Sequence, residues 1–78
     1  MKMSEEQKEQ ILEMVAAQAH MELEMQLEEG YIEDFDDNDV EATMDNLIDD
    51  GHWSVEEVFE SVLGEDYDYN EVVADLFG

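Results

Sequence analysis

Residues 33 to 51, EDFDDNDVEATMDNLIDDG, hold nine carboxylates and no Lys or Arg. Such side chains bind hard cations, and Asp34, Asp36 and Asn38 occupy the first, third and fifth places of a calcium loop. The pattern then breaks. Its sixth place is Asp39, where Gly makes the sharp turn, and its twelfth is Asp45, where a longer bidentate Glu is expected. DYDYNEVVADLF, from Asp66, fails at the same places with Glu71 and Phe77. His20 lies one helical turn from Glu24, a geometry that can hold zinc, but no third ligand joins them and a solvated His beside a Glu is the simpler reading. His52, between Gly51 and Trp53, reads as a turn residue. Acid-base catalysis needs two carboxyls in unlike environments inside a dry pocket, and a chain of 78 residues has little interior for one. A Gly-rich phosphate loop and a Ser nucleophile motif are both missing. The expectation is a non-enzyme with no cofactor and no resident metal.

The elements that position these acids can be read from caps and periodicity. Ser4 with Gln7 is a capping-box pattern, and a helix can run from there to Glu29 before Gly30. Leu12, Ala16, Ala19, Leu23 and Leu27 form one apolar stripe on it; Met14, Met21 and Met25 form a second, directed either into the same core or at a second copy of the chain. Asn38 as N-cap with Glu41 starts a second helix, with Val40, Met44, Leu47 and Ile48 on one face and Gly51 at its end. Ser54 with Glu57 starts a third, stapled by Trp53 and Val58 and carrying Val55, Phe59, Val62 and Leu63 before Gly64. Asp68 caps a fourth with Tyr69, Val72, Val73, Leu76 and Phe77 before Gly78. SVEEVFESVLG and DYNEVVADLFG align without gaps, a likeness that short capped helices share without being repeats. YIEDF alternates for five residues but has no strand to pair with. The reading is all-α: one domain, residues 1–78, with one long N-terminal helix followed by three short helices in a compact acidic bundle.

Charge sets the limits on partners. There are 25 Asp and Glu against Lys2 and Lys8, for a formal charge of -23. DNA, RNA and anionic lipid need Lys and Arg to displace counterions, so direct binding to nucleic acid or membrane is excluded and a partner should be basic. The 44% hydrophobic content, with Trp53, three Tyr and three Phe, separates the chain from a disordered acidic tail. There is no Cys and no Pro, and MKMSEEQKEQ lacks the apolar core of a secretory signal. No apolar run approaches the ~18 residues of a membrane span. A soluble cytoplasmic protein is expected.

The acids recur at helical spacing. Asp37, Glu41, Asp45 and Asp49 step every four residues, a line of carboxylates ~6 Å apart on a helix. Glu5, Glu9 and Glu13, Glu24 and Glu28, Glu56 and Glu60, and Glu71 and Asp75 bring the total to eight like-charged pairs. Each costs a few tenths of a kcal/mol, about 2 to 4 in sum, against a stability of about 5 to 10 for a small domain. Salt should therefore stabilise the fold. Solubility needs a net charge of only about 2 to 8, so it does not account for this concession. Adaptation to high salt would account for it, and so would a function carried by the charge itself.

Charge density, small size, helical rows of Asp and Glu and the near absence of Lys and Arg make the chain resemble the small acidic DNA-mimic proteins, many encoded by bacteriophages and mobile elements. The resemblance covers the whole chain but rests on no family motif. It implies an inhibitor that occupies the basic groove of a restriction, CRISPR, nuclease or nucleoid protein, in the cytoplasm of the host cell if phage-encoded. The implied contact surface is the ridge of Glu33, Asp34, Asp36, Asp37, Glu41, Asp45, Asp49 and Asp50. Glu56, Glu60, Glu65, Asp66 and Asp68 make a secondary acidic surface. Phe35, Tyr67 and Tyr69 either add specificity beside the acids or anchor loops to the core. An acidic adaptor or chaperone for a basic protein, without DNA mimicry, is the reading from another class.

Overall fold

The computed structural model describes residues 3–77; Lys2 and the expected terminal Gly78 lie outside them. The described residues form four α-helices and no strand: α1 Glu5–Glu29, α2 Asp37–Asp49, α3 Trp53–Leu63 and α4 Tyr69–Phe77. YIEDF falls in the irregular link between α1 and α2.

Local chemistry sets the ends of α1. Ser4 Oγ accepts from the Gln7 N–H at 3.2 Å and the Ser4 N–H donates to Gln7 Oε1 at 3.0 Å, so the capping box forms as expected. At the other end Gly30 takes φ +85°, the Gly30 N–H reaches the Leu27 carbonyl and the Tyr31 N–H reaches that of Gln26. This is a Schellman turn, and it needs the left-handed residue that Gly supplies. The buried row is Ile11, Val15, Ala19 and Leu23. It corrects the expected stripe, since Leu12 and Ala16 are only half-buried and Leu27 is exposed. Each step of four residues turns about 40° around the helix, so a row that faces the core at Ile11 has rotated about 160° by Leu27.

Helix α2 starts two residues earlier than the Asn38 cap predicts. Asp36 Oδ1 accepts from the Asp39 N–H at 3.1 Å and Asp39 Oδ2 accepts from the Asp36 N–H at 3.0 Å, a capping box built from two Asp. Asn38 becomes an exposed residue of the first turn. Gly51, at φ +64°, reverses the chain after α2 by a second Schellman turn to the Leu47 and Ile48 carbonyls.

Helix α3 is also capped two positions away from expectation, before Ser54 instead of at it. His52 is the N-cap: its Nδ1 accepts from the Ser54 N–H at 3.2 Å and lies 2.6 Å from Ser54 Oγ. Ser54 is thereby drawn inside the first turn and buried, while Trp53 stays 64% exposed and staples nothing to Val58. Asp68 caps α4 as expected, its Oδ1 accepting from the Asn70 and Glu71 N–H groups at 3.0 and 3.3 Å.

One core joins all four helices. Ile11 and Val15 meet Ile48, Val55, Val58, Phe59 and Val72, and Met3 closes the N-terminal end. The Met3 N–H donates to Asp75 Oδ2 at 2.7 Å, and Lys8 Nζ approaches Asp75 Oδ1 at 3.9 Å, tying the start of the chain to α4. The Phe59 ring is met edge-on by Tyr67, at 5.9 Å and 88°, and at a tilt by Tyr69, at 5.2 Å and 42°. The molecule measures 41 × 20 × 18 Å, its length set by α1.

Candidate functional site

The acidic surface is built on helices whose inner faces are committed to the core. In α2 only Ile48 is fully buried, with Val40, Thr43, Met44 and Leu47 half-buried, so the face bearing Asp37, Glu41, Asp45 and Asp49 is turned to solvent. All eight acids of the ridge, from Glu33 to Asp50, are exposed. They are not equivalent. Asp36 caps α2 through its Oδ1, and Asp34 Oδ1 accepts from the Phe35 N–H at 2.8 Å, so these two also order the backbone. Glu41 and Asp45 lie in the middle of α2, free of capping duty.

The ridge is joined by acids of α1 that the linear sequence separates from it. Glu9 and Glu13 of α1 and Glu41 and Asp45 of α2 share the rim of a groove between α1, α2 and α4. Its volume is about 930 Å³, and Leu12, Ala16, Met44, Leu76 and Phe77 form its floor. Phe77, 56% exposed, projects at one side. Sequence reasoning missed this site. Its signal was present in Leu12 and Ala16, which read as core and instead stand beside the buried row.

The secondary acids fall elsewhere. Glu56, Glu60, Glu65, Asp66 and Asp68 are exposed on α3 and the link that follows it. Glu56 and Glu60 act on the tyrosines: burial first, then the Glu56 and Glu60 carboxylates, push the Tyr67 phenol above its ordinary value of 10.0. For Tyr69 burial again leads, followed by Glu56, Tyr67 and Asp49. Both rings serve as anchors. The Tyr67 hydroxyl donates to the Glu56 carbonyl at 3.2 Å, and that of Tyr69 donates to the Ile48 carbonyl in the last turn of α2. Phe35 is half-buried and packs edge-on against His20 at 5.2 Å, pinning the α1–α2 link to α1. The aromatic side chains that do stand in solvent are Tyr31, Trp53 and Phe77.

His20 Nε2 lies 3.4 Å from Glu24 Oε1, both exposed. Among the described residues no group of three or more His, Asp or Glu is arranged to hold a metal ion. In the calcium-like stretch the Asp36–Asp39 capping box feeds the chain into a helix at Asp37, so the later side chains follow a helical path instead of circling one point. The methionine stripe is divided. Met14 packs against the core of its own chain, whereas Met21 and Met25 are exposed beyond it. No helix among the described residues is long and apolar enough to cross a membrane.

No family model, curated protein or solved structure matches the chain.

Proposed function

We propose that the protein is a DNA mimic, an inhibitor that occupies the basic nucleic-acid-binding groove of a target protein and competes with DNA. The observation that carries this reading is a match of charge to length. Duplex DNA bears one charge per ~1.7 Å of axis, so 23 charges correspond to about 39 Å of duplex, and the long dimension of the molecule is 41 Å. The charge is spread over all four helices, each of which carries at least one acidic pair at i, i+4. A basic groove attracts such a body at long range, and carboxylates on fixed helices take the place of phosphates as acceptors for Arg and Lys.

The test is competition. Basic partners are captured from a lysate on the immobilised protein at two salt concentrations, and a duplex of about twelve base pairs, equal to the protein in charge, is titrated into each purified complex. Displacement of the partner in proportion to duplex occupancy is the expected result. A partner that holds the protein and the duplex together rules out mimicry and leaves the adaptor or chaperone reading.

A further inference from the structure

Charge mimicry does not explain the floor of the groove, because a row of phosphates has no apolar counterpart to Leu12, Ala16, Met44, Leu76 and Phe77. The core does not require Phe77 either, more than half of whose surface is exposed. We propose that this groove binds one amphipathic α-helix of a partner protein, with an apolar stripe flanked on both sides by Lys or Arg.

The dimensions and the charge suit that occupant. From Glu9 to Ala16 the α1 wall runs about 10 Å, two helical turns, which admits anchors at i, i+3, i+4 and i+7 of a guest helix. Glu9 and Glu13 stand along one wall and Glu41 and Asp45 along the other, each pair at ~6 Å. Cations on both flanks of an apolar stripe would meet them, their methylene stems lying over the apolar floor and their charged heads at the carboxylates. Charge also sets aside the other occupants. A second copy of this chain brings -23 against -23, and nucleic acid carries the same sign. An uncharged apolar helix would cover four carboxylates without pairing them. The site does not rest on DNA mimicry, since a partner presenting this helix need not bind nucleic acid at all.

The probe is a synthetic peptide of about 15 residues, near the length at which isolated helices become marginally stable. It carries Leu at i, i+3, i+4 and i+7 with Lys elsewhere. Two controls accompany it: an isomer of identical composition with its Leu scattered around the helix, and a version with Gln in place of Lys. Binding to the full chain is measured at about 0.15 M salt, where the Debye length of ~8 Å screens contacts between distant charges. The ordered cationic peptide should bind at least tenfold tighter than either control and should move the Met44 methyl resonance while Met21 and Met25 stay in place. Phe77→Ser and Ala16→Gln, each with unchanged helicity by circular dichroism, should remove that tenfold preference. Glu56→Gln with Glu60→Gln, the same kind of charge loss outside the groove, should preserve it. Equal affinity for the two cationic isomers overturns the proposal, because charge alone then suffices. So does equal affinity for the Gln version, or a response confined to Met21 and Met25. Loss of the preference in the Glu56 and Glu60 variant overturns it as well.

Discussion

Helices α2 and α3 are close in length, at 13 and 11 residues, and both pack on α1, yet they are stabilised in opposite ways. Helix α3 buries Ser54, Val55, Val58 and Phe59, and the Phe59 ring is the hub to which Tyr67 and Tyr69 attach. Helix α2 buries Ile48 alone and turns four carboxylates at i, i+4 outward. One helix holds the bundle and the other presents charge. A helix that lowers its own stability through repulsion needs a neighbour with burial to spare, and Tyr69 supplies the link by donating from α4 to the Ile48 carbonyl at the end of α2. The middle of the acidic ridge, Glu41 and Asp45, is therefore borne by a scaffold that does not depend on it, which is the condition for acids to be retained at a cost to folding.

The most severe way to break this division of labour is to empty the hub. Phe59 has no exposed surface, so Phe59→Ala should cost about 3 to 5 kcal/mol, roughly half of the about 5 to 10 expected for a domain this small. Urea unfolding should show the midpoint moved to roughly half its original denaturant concentration. Met44→Ala, on the half-buried face of α2, should lose much less, and equal losses at the two positions would erase the contrast between the helices.

Neutralising the ridge tests the other half. Glu41→Gln with Asp45→Asn removes all three like-charged pairs of α2 and should raise stability by about 0.6 to 1.5 kcal/mol at low salt. The gain should shrink at moderate salt, as the Debye length falls from ~30 Å to ~8 Å. The same variant should bind a nucleic-acid-binding target at least tenfold more weakly, a change of about 1.4 kcal/mol. Stability that rises while affinity falls is the signature of charge retained for a partner. Unaltered affinity would move the contact surface off α2.

Tyr69 couples the two regions, and its removal should have an intermediate effect. Tyr69→Phe deletes the hydrogen bond to Ile48 while keeping the ring on Phe59, for a loss of about 0.5 to 1.5 kcal/mol. Ionisation provides a second readout. The Tyr69 and Tyr67 phenols are raised in the fold, chiefly by burial and then by neighbouring acids, so the folded state favours the protonated form. Their contribution is fully present below the unfolded value near 10 and is lost as pH rises through the higher folded values. Stability should fall in that alkaline window, tracking tyrosinate absorption, and Tyr69→Phe with Tyr67→Phe should flatten the limb.

The four helices were legible because each is bracketed by local chemistry: Ser4 with Gln7, Gly30, Gly51, Gly64 and Asp68 act within a few residues of themselves. The groove was not, because it is made by helices that approach one another in space, and Leu12 could be told from Ile11 only by knowing where α2 and α4 lie. Asp75 is a second case. One acid among 25 could not be chosen as the partner of the Met3 N–H and Lys8 without the contact between the chain's two ends. His52, between Gly51 and Trp53, reads as a turn residue in the sequence, and only the approach of its Nδ1 to the Ser54 N–H and hydroxyl shows it to be the cap of α3.

The finest distinction concerns where α2 begins. Two candidate caps lie two residues apart, and the bonded one is Asp36, whose carboxylate also sits at the positive end of the helix dipole. Asp36→Ala should cost about 1 kcal/mol, whereas Asn38→Ala, in an exposed first-turn position with a better helix former, should stay within a few tenths. Thermal melts of the pair at one salt concentration separate these effects. The reversed order would place the start of α2 at Asn38, shorten the helix by two residues and remove Asp37 from the row it shares with Glu41. The ridge would then begin at Glu41, with two like-charged pairs in α2 in place of three, and the gain from neutralising Glu41 and Asp45 should fall in proportion.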